Sequence, residues 1–200
     1  MRQIKIIEIS LLFALCAALC TGLWAQARQR RLSSELVRLH VVANSDSDTD
    51  QSVKLQVRDA VLAELAPKLA DVSDPARAED VIRGELPALQ RTARQTLQES
   101  GKFYPAGAAL RFERFPRRDY PGFSLPAGDY VTLRVTLGAG AGHNWWCVIF
   151  PPLCTAAATD ESAFAQLPES DAGLIRCTDG EPCIRFRVVE LYSRLRQALS

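Results

Sequence analysis

The amino terminus constrains where this chain can fold, because residues 9–25 form an uncharged apolar run, ISLLFALCAALCTGLWA. A short segment that carries Arg2 and Lys5 precedes the run. An apolar helix of this kind partitions into a bilayer, because its backbone satisfies its own hydrogen bonds there. Its length is at the lower limit for a membrane-spanning helix and is long for the core of a signal peptide. We therefore expect the chain to be exported from the cytoplasm.

The residues after the run leave two fates open for this leader. Ala25-Gln26-Ala27 has the small-x-small pattern that signal peptidase accepts, which predicts cleavage after Ala27. Three arginines between residues 28 and 31 follow directly and favour a juxtamembrane anchor instead. Residues 1–27 are predicted to be a signal peptide or a membrane anchor, and residues 32–200 an extracytoplasmic domain.

Composition and charge argue against a nucleic-acid partner. The 200 residues are 48% hydrophobic and include 24 Lys and Arg against 23 Asp and Glu. Removal of the leader leaves equal numbers of positive and negative residues. The exported part therefore has no bulk positive field, and we expect contact with a membrane only through the leader. The length and the apolar content predict one globular domain.

The cysteines agree with export into an oxidising compartment. Two of the six lie inside the leader, and the other four, an even number, lie in the exported part, which predicts two disulfides. Four cysteines permit three pairings. The local pairs are favoured because each encloses a turn-rich segment: Cys147 with Cys154, and Cys177 with Cys183.

The first half of the exported part reads as a strand followed by two helices. Residues 36–43 alternate, with Val37, Leu39 and Val41 on one face and Arg38 and His40 on a polar face, as in a half-buried strand. The acidic segment NSDSDTD then starts a helix over about 51–65, which buries Val53, Val57, Val61 and Leu65. A second helix over about 77–99 buries Ile82, Leu86, Leu89, Ala93 and Leu97 and stops at Gly101.

The second half is richer in strand patterns. Residues 110–113 and 131–137 alternate, and residues 146–150 are continuously apolar, as in a strand covered on both faces. The glycine-rich loop 138–142 is typical of a hairpin connection between the last two. Residues 184–188 alternate again, and helical spacing follows to the end. We predict one α+β domain, with a mostly antiparallel sheet, two packed helices and a C-terminal helix, after the N-terminal hydrophobic leader.

The spacing of the polar residues does not support a metal or a cofactor. Residues 46–50 resemble a calcium loop, but Gln51 stands at the glycine position and Val57 at the position of the bidentate glutamate. The glycine-rich loop lacks the dinucleotide fingerprint. The four exported cysteines lack the Cys-x-x-Cys spacing that is typical of zinc sites. We expect no metal and no cofactor.

A cysteine nucleophile is the sharpest enzymatic hypothesis. A thiolate needs an imidazole nearby, and the sequence offers only His40 and His143. Cys147 lies in an apolar strand, where burial raises the pKa of a thiol and makes it inert. The surrounding residues Trp145, Trp146, Phe150, Pro151 and Pro152 have the composition of a rigid binding surface. We expect one tryptophan to point into the core and the other to point outward.

Two segments together resemble the stage II sporulation protein R family. They are residues 36–59, LVRLHVVANSDSDTDQSVKLQVRD, and residues 143–154, HNWWCVIFPPLC. Their order, the leader and the overall length also match. Cys177 and Cys183 lie outside this pattern, so the second disulfide is predicted from spacing alone.

The resemblance implies a signalling protein of endospore-forming bacteria that has no catalytic residue of its own. Such proteins are secreted from the forespore into the intermembrane space, or stay anchored there, in this chain by residues 4–25. They trigger a membrane-embedded aspartic protease, which processes the sigma-E precursor in the mother cell. The alternative is an exported cysteine-dependent hydrolase of the cell envelope. The family pattern marks as partner-binding candidates His40, Asn44, Asp46, Asp50, Asn144, Trp145, Trp146, Pro151 and Pro152.

Overall fold

A computed structural model describes residues 2–120 and 123–153 as three helices and six strands. The predicted strand at 184–188, the C-terminal helix, Cys154, Cys177 and Cys183 lie outside the described residues. The elements are α1 (Arg2–Ser34), β1 (Val37–Val42), α2 (Asp48–Leu69), α3 (Pro75–Glu99), β2 (Ala106–Phe115), β3 (Arg118–Tyr120), β4 (Phe123–Leu125), β5 (Gly128–Leu137) and β6 (Asn144–Phe150).

The leader forms most of α1, one continuous helix that ends inside the domain. Residues Glu8–Ser34 contain a stretch long and apolar enough to cross a membrane, and no part of that stretch is buried. The last turns differ, because Leu32 is fully buried and the side-chain amide of Gln29 donates to the carbonyl oxygen of Ala127. The apolar part of α1 is therefore exposed, as in a signal peptide or a membrane anchor, while the end of the helix packs on the domain.

Helices α2 and α3 form where the apolar spacing predicts them. Ser47 caps α2 by accepting a hydrogen bond from the backbone N–H of Asp50, and Asp74 caps α3 in the same way with Arg77. Pro75 occupies the first turn of α3, where a backbone N–H would have no acceptor within the helix, so the proline costs no hydrogen bond. The predicted apolar residues of both helices pack on one face of the sheet, although Leu86 is only half-buried.

The main sheet has the order β2-β5-β1-β6. β1 is parallel to β5 and antiparallel to β6, and β2 is antiparallel to β5. The α+β class is thereby confirmed, with two antiparallel pairings and one parallel pairing. The predicted hairpin between the last two strands is wrong, because β1 lies between β5 and β6. The glycine-rich loop instead crosses the end of β1.

Both faces of β1 are covered, so the predicted polar face is also wrong. Helices α2 and α3 cover the side that carries Leu39. The other side carries Arg38 and His40 and packs on a second apolar cluster, which leaves these residues 0% and 7% exposed. That cluster comprises Leu32, Leu36, Phe115, Phe123, Leu125, Tyr130, Val148 and Leu153.

Candidate functional site

Two segments meet at the end of the sheet where β1 stops: the acidic turn (residues 44–50) and the crossing loop (residues 138–143). The backbone N–H groups of Gly142 and Ala141 donate to the carbonyl oxygens of Ala43 and Asn44, at 3.0 and 3.2 Å. The side-chain oxygen of Asn44 accepts from the N–H of Ala139 at 2.9 Å. The loop is thus fastened to the end of β1 by backbone and side chain.

The crossing loop needs glycine because it passes so close to the acidic turn. Gly138 has φ +55°, and a Cβ there would lie 2.1 Å from the Asn44 side-chain oxygen. A Cβ at Gly142 would lie 2.2 Å from the carbonyl oxygen of Ser45. The glycines therefore allow a close crossing of two segments, where the sequence pattern had indicated a hairpin.

Asp50 is the centre of the acidic turn and faces inward. It is 3% exposed and accepts hydrogen bonds from Asn44 Nδ2 at 2.8 Å, Ser45 Oγ at 2.6 Å and Tyr104 Oη at 3.1 Å. Lys102 Nζ forms an ion pair with it at 2.9 Å. The hydrogen bond from Lys102, followed by those from Ser45 and Asn44, lowers the pKa of Asp50 well below its ordinary value. The carboxylate therefore stays charged and holds the turn together.

Asp46 and His143 join the acidic turn to the crossing loop at the surface. Asp46 Oδ1 accepts from the backbone N–H of His143 and lies 2.6 Å from its Nδ1. The two side chains are 56% and 77% exposed. Beneath them the nearly buried Lys54 donates to the carbonyl oxygen of His143 at 3.1 Å and to Gln51 at 2.6 Å. Asp46 and His143 are therefore available to a partner, on a supported backbone.

A row of polar side chains crosses the whole sheet on the face opposite α2 and α3. Glu113 on β2 contacts His40 Nδ1 on β1 at 2.6 Å and accepts from Arg134 on β5 at 3.0 Å. His40 Nε2 lies 2.9 Å from the side-chain oxygen of Asn144 on β6. Burial by itself would raise the pKa of Glu113, but the hydrogen bonds from His40 and Arg134 lower it below its ordinary value. Of His40, Asn144 and Glu113, only Asn144 is exposed.

Trp145 and Trp146 lie on opposite faces of β6, and both are half-buried. Trp145 packs against the helix side of the sheet with Arg58 above its ring, at 4.4 Å from the guanidinium carbon to the ring centroid. Trp146 packs against the second cluster with Arg118 at 3.9 Å. The expectation of one inward and one outward tryptophan is therefore wrong, because each face of this strand has its own cover.

Comparison with known proteins places this arrangement in a family. The family model for stage II sporulation protein R matches residues 33–160, more than half of the chain. This chain belongs to the stage II sporulation protein R family. The similarity predicted from the two sequence segments is thereby confirmed.

A relative in Bacillus subtilis (strain 168), stage II sporulation protein R, is 36% identical over 141 residues. The matched part covers 70% of this chain and 63% of the relative, so this chain matches less than two thirds of that protein's length. No solved structure matches this chain.

The residues marked by the family pattern divide into a buried frame and an exposed set. His40, Asp50 and Pro151 are buried, and Asn44 is half-buried and bonded to the crossing loop. Asp46, Asn144 and Pro152 are exposed. All of these but the two prolines gather around the end of β1 and the start of β6, and a contact between them and a partner stays a prediction.

Cys147 offers no thiolate for nucleophilic chemistry. Its side chain is 4% exposed and is disulfide-bonded. The identity of its partner stays a prediction. Within residues 2–120 and 123–153, His, Cys, Asp and Glu side chains do not gather in threes as metal ligands. The described site therefore presents hydrogen-bonding groups on a fixed backbone.

The sequence did not point to the groups that complete the frame. Lys102 and Tyr104 approach Asp50 from beyond α3, and Glu113 reaches His40 across β5. Glu113 lies on a predicted strand, where it alternates with apolar residues. This alternation was the one sequence feature that placed its charged side chain on a face of the sheet. The buried Arg38 was also not expected. Among the residues that the structure describes, its Nε and Nη1 find no hydrogen-bond partner, while Nη2 donates to Tyr120 Oη at 2.5 Å.

Proposed function

We propose that this chain is an exported sporulation signalling protein that activates a membrane-embedded aspartic protease, which then processes the sigma-E precursor in the mother cell. Membership of the stage II sporulation protein R family supports a role in sporulation. The apolar part of α1 supports export, as a signal peptide or an anchor. We take the site of action to be the intermembrane space, reached from the forespore.

One observation carries the proposal most directly: the family-marked residues build a supported surface at one end of the sheet. Buried polar groups, with Asp50 and His40 at their centres, fix the acidic turn, the crossing loop and the start of β6 to one another. Asp46, Asn144 and His143 are among the side chains left at the surface of this frame. Such an arrangement suits recognition by another protein, because little conformational freedom is lost on binding.

The activation itself follows from differential binding. A ligand shifts an equilibrium between two states of its partner only by its preference for one of them. We propose that the domain docks on the extracytoplasmic face of the protease and prefers the active arrangement. The rigid frame then matters because it keeps the docking surface in one conformation, and the reaction is carried out entirely by residues of the protease.

The disulfide at Cys147 bears on the alternative of a cysteine-dependent hydrolase. That enzyme would need a free thiolate, and Cys147 is buried and oxidised. No contact within the described part of the chain favours the hydrolase, so we retain the signalling role.

Co-expression in a non-sporulating host tests the proposal. The host makes the protease and the sigma-E precursor, with or without this chain, and cleavage of the precursor is followed on immunoblots. We expect cleavage that requires this chain and requires its leader. Cleavage without the chain, or with a leaderless chain retained in the cytoplasm, would contradict the proposed role.

Matched surface variants then test the docking surface. Asp46→Ala and Asn144→Ala remove exposed groups from the frame, and Asp71→Ala removes another exposed carboxylate just beyond the end of α2. We expect the first two to reduce cleavage strongly and the third to leave it unchanged, at equal amounts of secreted, folded protein. Normal cleavage with both Asp46→Ala and Asn144→Ala would show that the docking surface is elsewhere.

A further inference from the structure

The end of the domain nearest α1 lies close to the plane where that helix would leave a membrane. The apolar run ends at Ala25, and Leu32 is already buried in the domain. A helix rises about 1.5 Å per residue, so these two positions are separated by about 10 Å along the axis. The headgroup layer on each side of the hydrocarbon core is roughly 5–8 Å thick. An anchored α1 would therefore hold this end of the domain at the headgroups.

The rim of the domain at this end has the composition of a membrane interface. Phe112 on the edge strand β2 is 78% exposed, and it lines a groove of about 450 Å³ with Arg30, Ser33 and Asp129. Arg30 is exposed. Arg114, two residues beyond Phe112 on the same face of β2, has a side chain that is 62% exposed and forms a surface ion pair with Asp129 at 3.9 Å. Aromatic rings and arginines together favour the boundary between lipid headgroups and hydrocarbon.

The opposite end of the sheet differs in charge. β1 runs from Val37, beside the end of α1, to Val42, and its length separates the two ends by about 20 Å. The exposed carboxylates of Asp46 and Asp48 lie at that distal end, where an anionic surface would repel them. Phe103 also lies there, next to Lys102, and is 85% exposed. The proximal end therefore carries exposed arginines beside the carboxylates of Glu79 and Asp129, whereas the exposed charges of the acidic turn are all carboxylates.

We propose that the membrane-proximal rim, defined by Arg30, Phe112 and Arg114, rests on the headgroups of the membrane that holds α1. The acidic turn and the crossing loop then face away from that membrane. A partner that contacts them would lie at the end of the domain opposite that membrane. This inference concerns lipid contact and orientation, and it does not depend on the identity of the partner. It requires α1 to stay attached to the domain after export.

Site-specific photocrosslinking of the full chain in vesicles tests the inference. A benzophenone amino acid replaces Phe112 in one protein and Phe103 in another, so that two similarly exposed positions at opposite ends are compared. The proteins are reconstituted in vesicles that contain phosphatidylglycerol, irradiated, and analysed by mass spectrometry for lipid adducts. We expect adducts several-fold more abundant at position 112 than at position 103. Equal adducts at the two positions, or none at 112, would overturn the proposal.

Two further measurements separate its parts. The double change Arg30→Gln and Arg114→Gln should lower the adduct yield at position 112 in phosphatidylglycerol vesicles and leave it unchanged in phosphatidylcholine vesicles. An equal adduct yield before and after the double change would show that the two arginines do not contribute to the lipid contact. Mass analysis of the chain recovered from its native membrane should find residues 1–27 attached, and a chain that begins at residue 28 would overturn the anchored orientation. None of these readouts involves the protease.

Discussion

Replacement of Asp50 tests whether the acidic turn is a frame or a contact surface. In Asp50→Ala, the ion pair with Lys102 and the hydrogen bonds from Asn44, Ser45 and Tyr104 are all lost. The carboxylate is 3% exposed, so water reaches the vacated position poorly. We therefore expect the change to lower the free energy of unfolding and not merely to remove a surface charge.

The magnitude follows from the kind of interaction. Removing one partner of a buried ion pair costs about 3–5 kcal/mol, because the remaining groups lose their counterpart while still buried. Lys102 is partly exposed and can turn to solvent, which favours the lower half of that range. For a chain of this size each kcal/mol shifts Tm by about 2–4 °C, so a cost of about 3–4 kcal/mol predicts a loss of about 6–16 °C.

The assay is thermal and urea unfolding of the full chain in detergent micelles, followed by tryptophan fluorescence. Asp48→Ala is the matched control, since Asp48 lies in the same first turn of α2 and is exposed. Its loss should cost less than about 1 kcal/mol, the usual contribution of a charge near a helix terminus. An Asp50→Ala protein as stable as the control would refute the assignment of Asp50 to the frame.

The pH dependence of stability gives an independent check. Because the pKa of Asp50 is lowered in the folded protein, its contribution is present above the ordinary carboxyl pKa of about 4 and is lost as pH falls below that value. The unmodified chain should lose stability on acidification. The Asp50→Asn protein should lose less stability between about pH 5 and pH 3, the range in which a carboxyl of the unfolded chain titrates. Parallel curves for the two proteins would argue against this carboxylate as a source of acid sensitivity.

Three further changes test the crossing loop, the buried arginine and the disulfide. Gly142→Ala puts a methyl group 2.2 Å from a backbone oxygen of the acidic turn and should lower the free energy of unfolding in urea by about 1–3 kcal/mol. Gly107→Ala is the control, because its methyl group enters open space and should not produce this loss. Arg38→Met should leave the free energy of unfolding unchanged or raise it by up to about 4 kcal/mol, since within the described part of the chain the arginine is buried without a carboxylate partner. A loss above about 2 kcal/mol would instead show that its contacts with Phe115 and Tyr130 stabilise the fold. Cys147→Ser and Cys154→Ser should impair folding and precursor cleavage equally if they share a disulfide, and a far larger defect in the first would favour a nucleophile.

Local patterns in the sequence were sufficient to predict the helices and most strands. Apolar residues at helical spacing marked α2 and α3, and alternation marked β1, β5 and part of β2. The strand order was beyond such patterns, because it depends on contacts between distant segments. The glycines at 138–142 indicated a flexible connection. Such a connection is compatible with a hairpin and equally with a crossing over the end of β1. The short strands β3 and β4 gave no alternation long enough to detect.

The composition of the site was predicted better than its construction. The family segments identified Asn44, Asp50 and His40, but their roles depend on burial, which alternation misjudged for β1. The second face of that strand is covered by Leu32 and Leu36, which directly precede it, and by residues of β2 and β4, which are distant in sequence. The alternation within one strand does not show which other segments pack on its two faces. For the same reason alternation did not predict that both tryptophans of β6 are half-buried.

Reconstitution with purified components tests most directly whether this protein acts by being recognised. The protease is inserted into vesicles with the sigma-E precursor, the domain is added from the extracytoplasmic side, and the cleavage rate is measured with all free thiols blocked. We predict a rate that rises with added domain and saturates, with no cleavage by the domain alone. Precursor cleavage by the domain without the protease, or activation that disappears when thiols are blocked, would contradict the account.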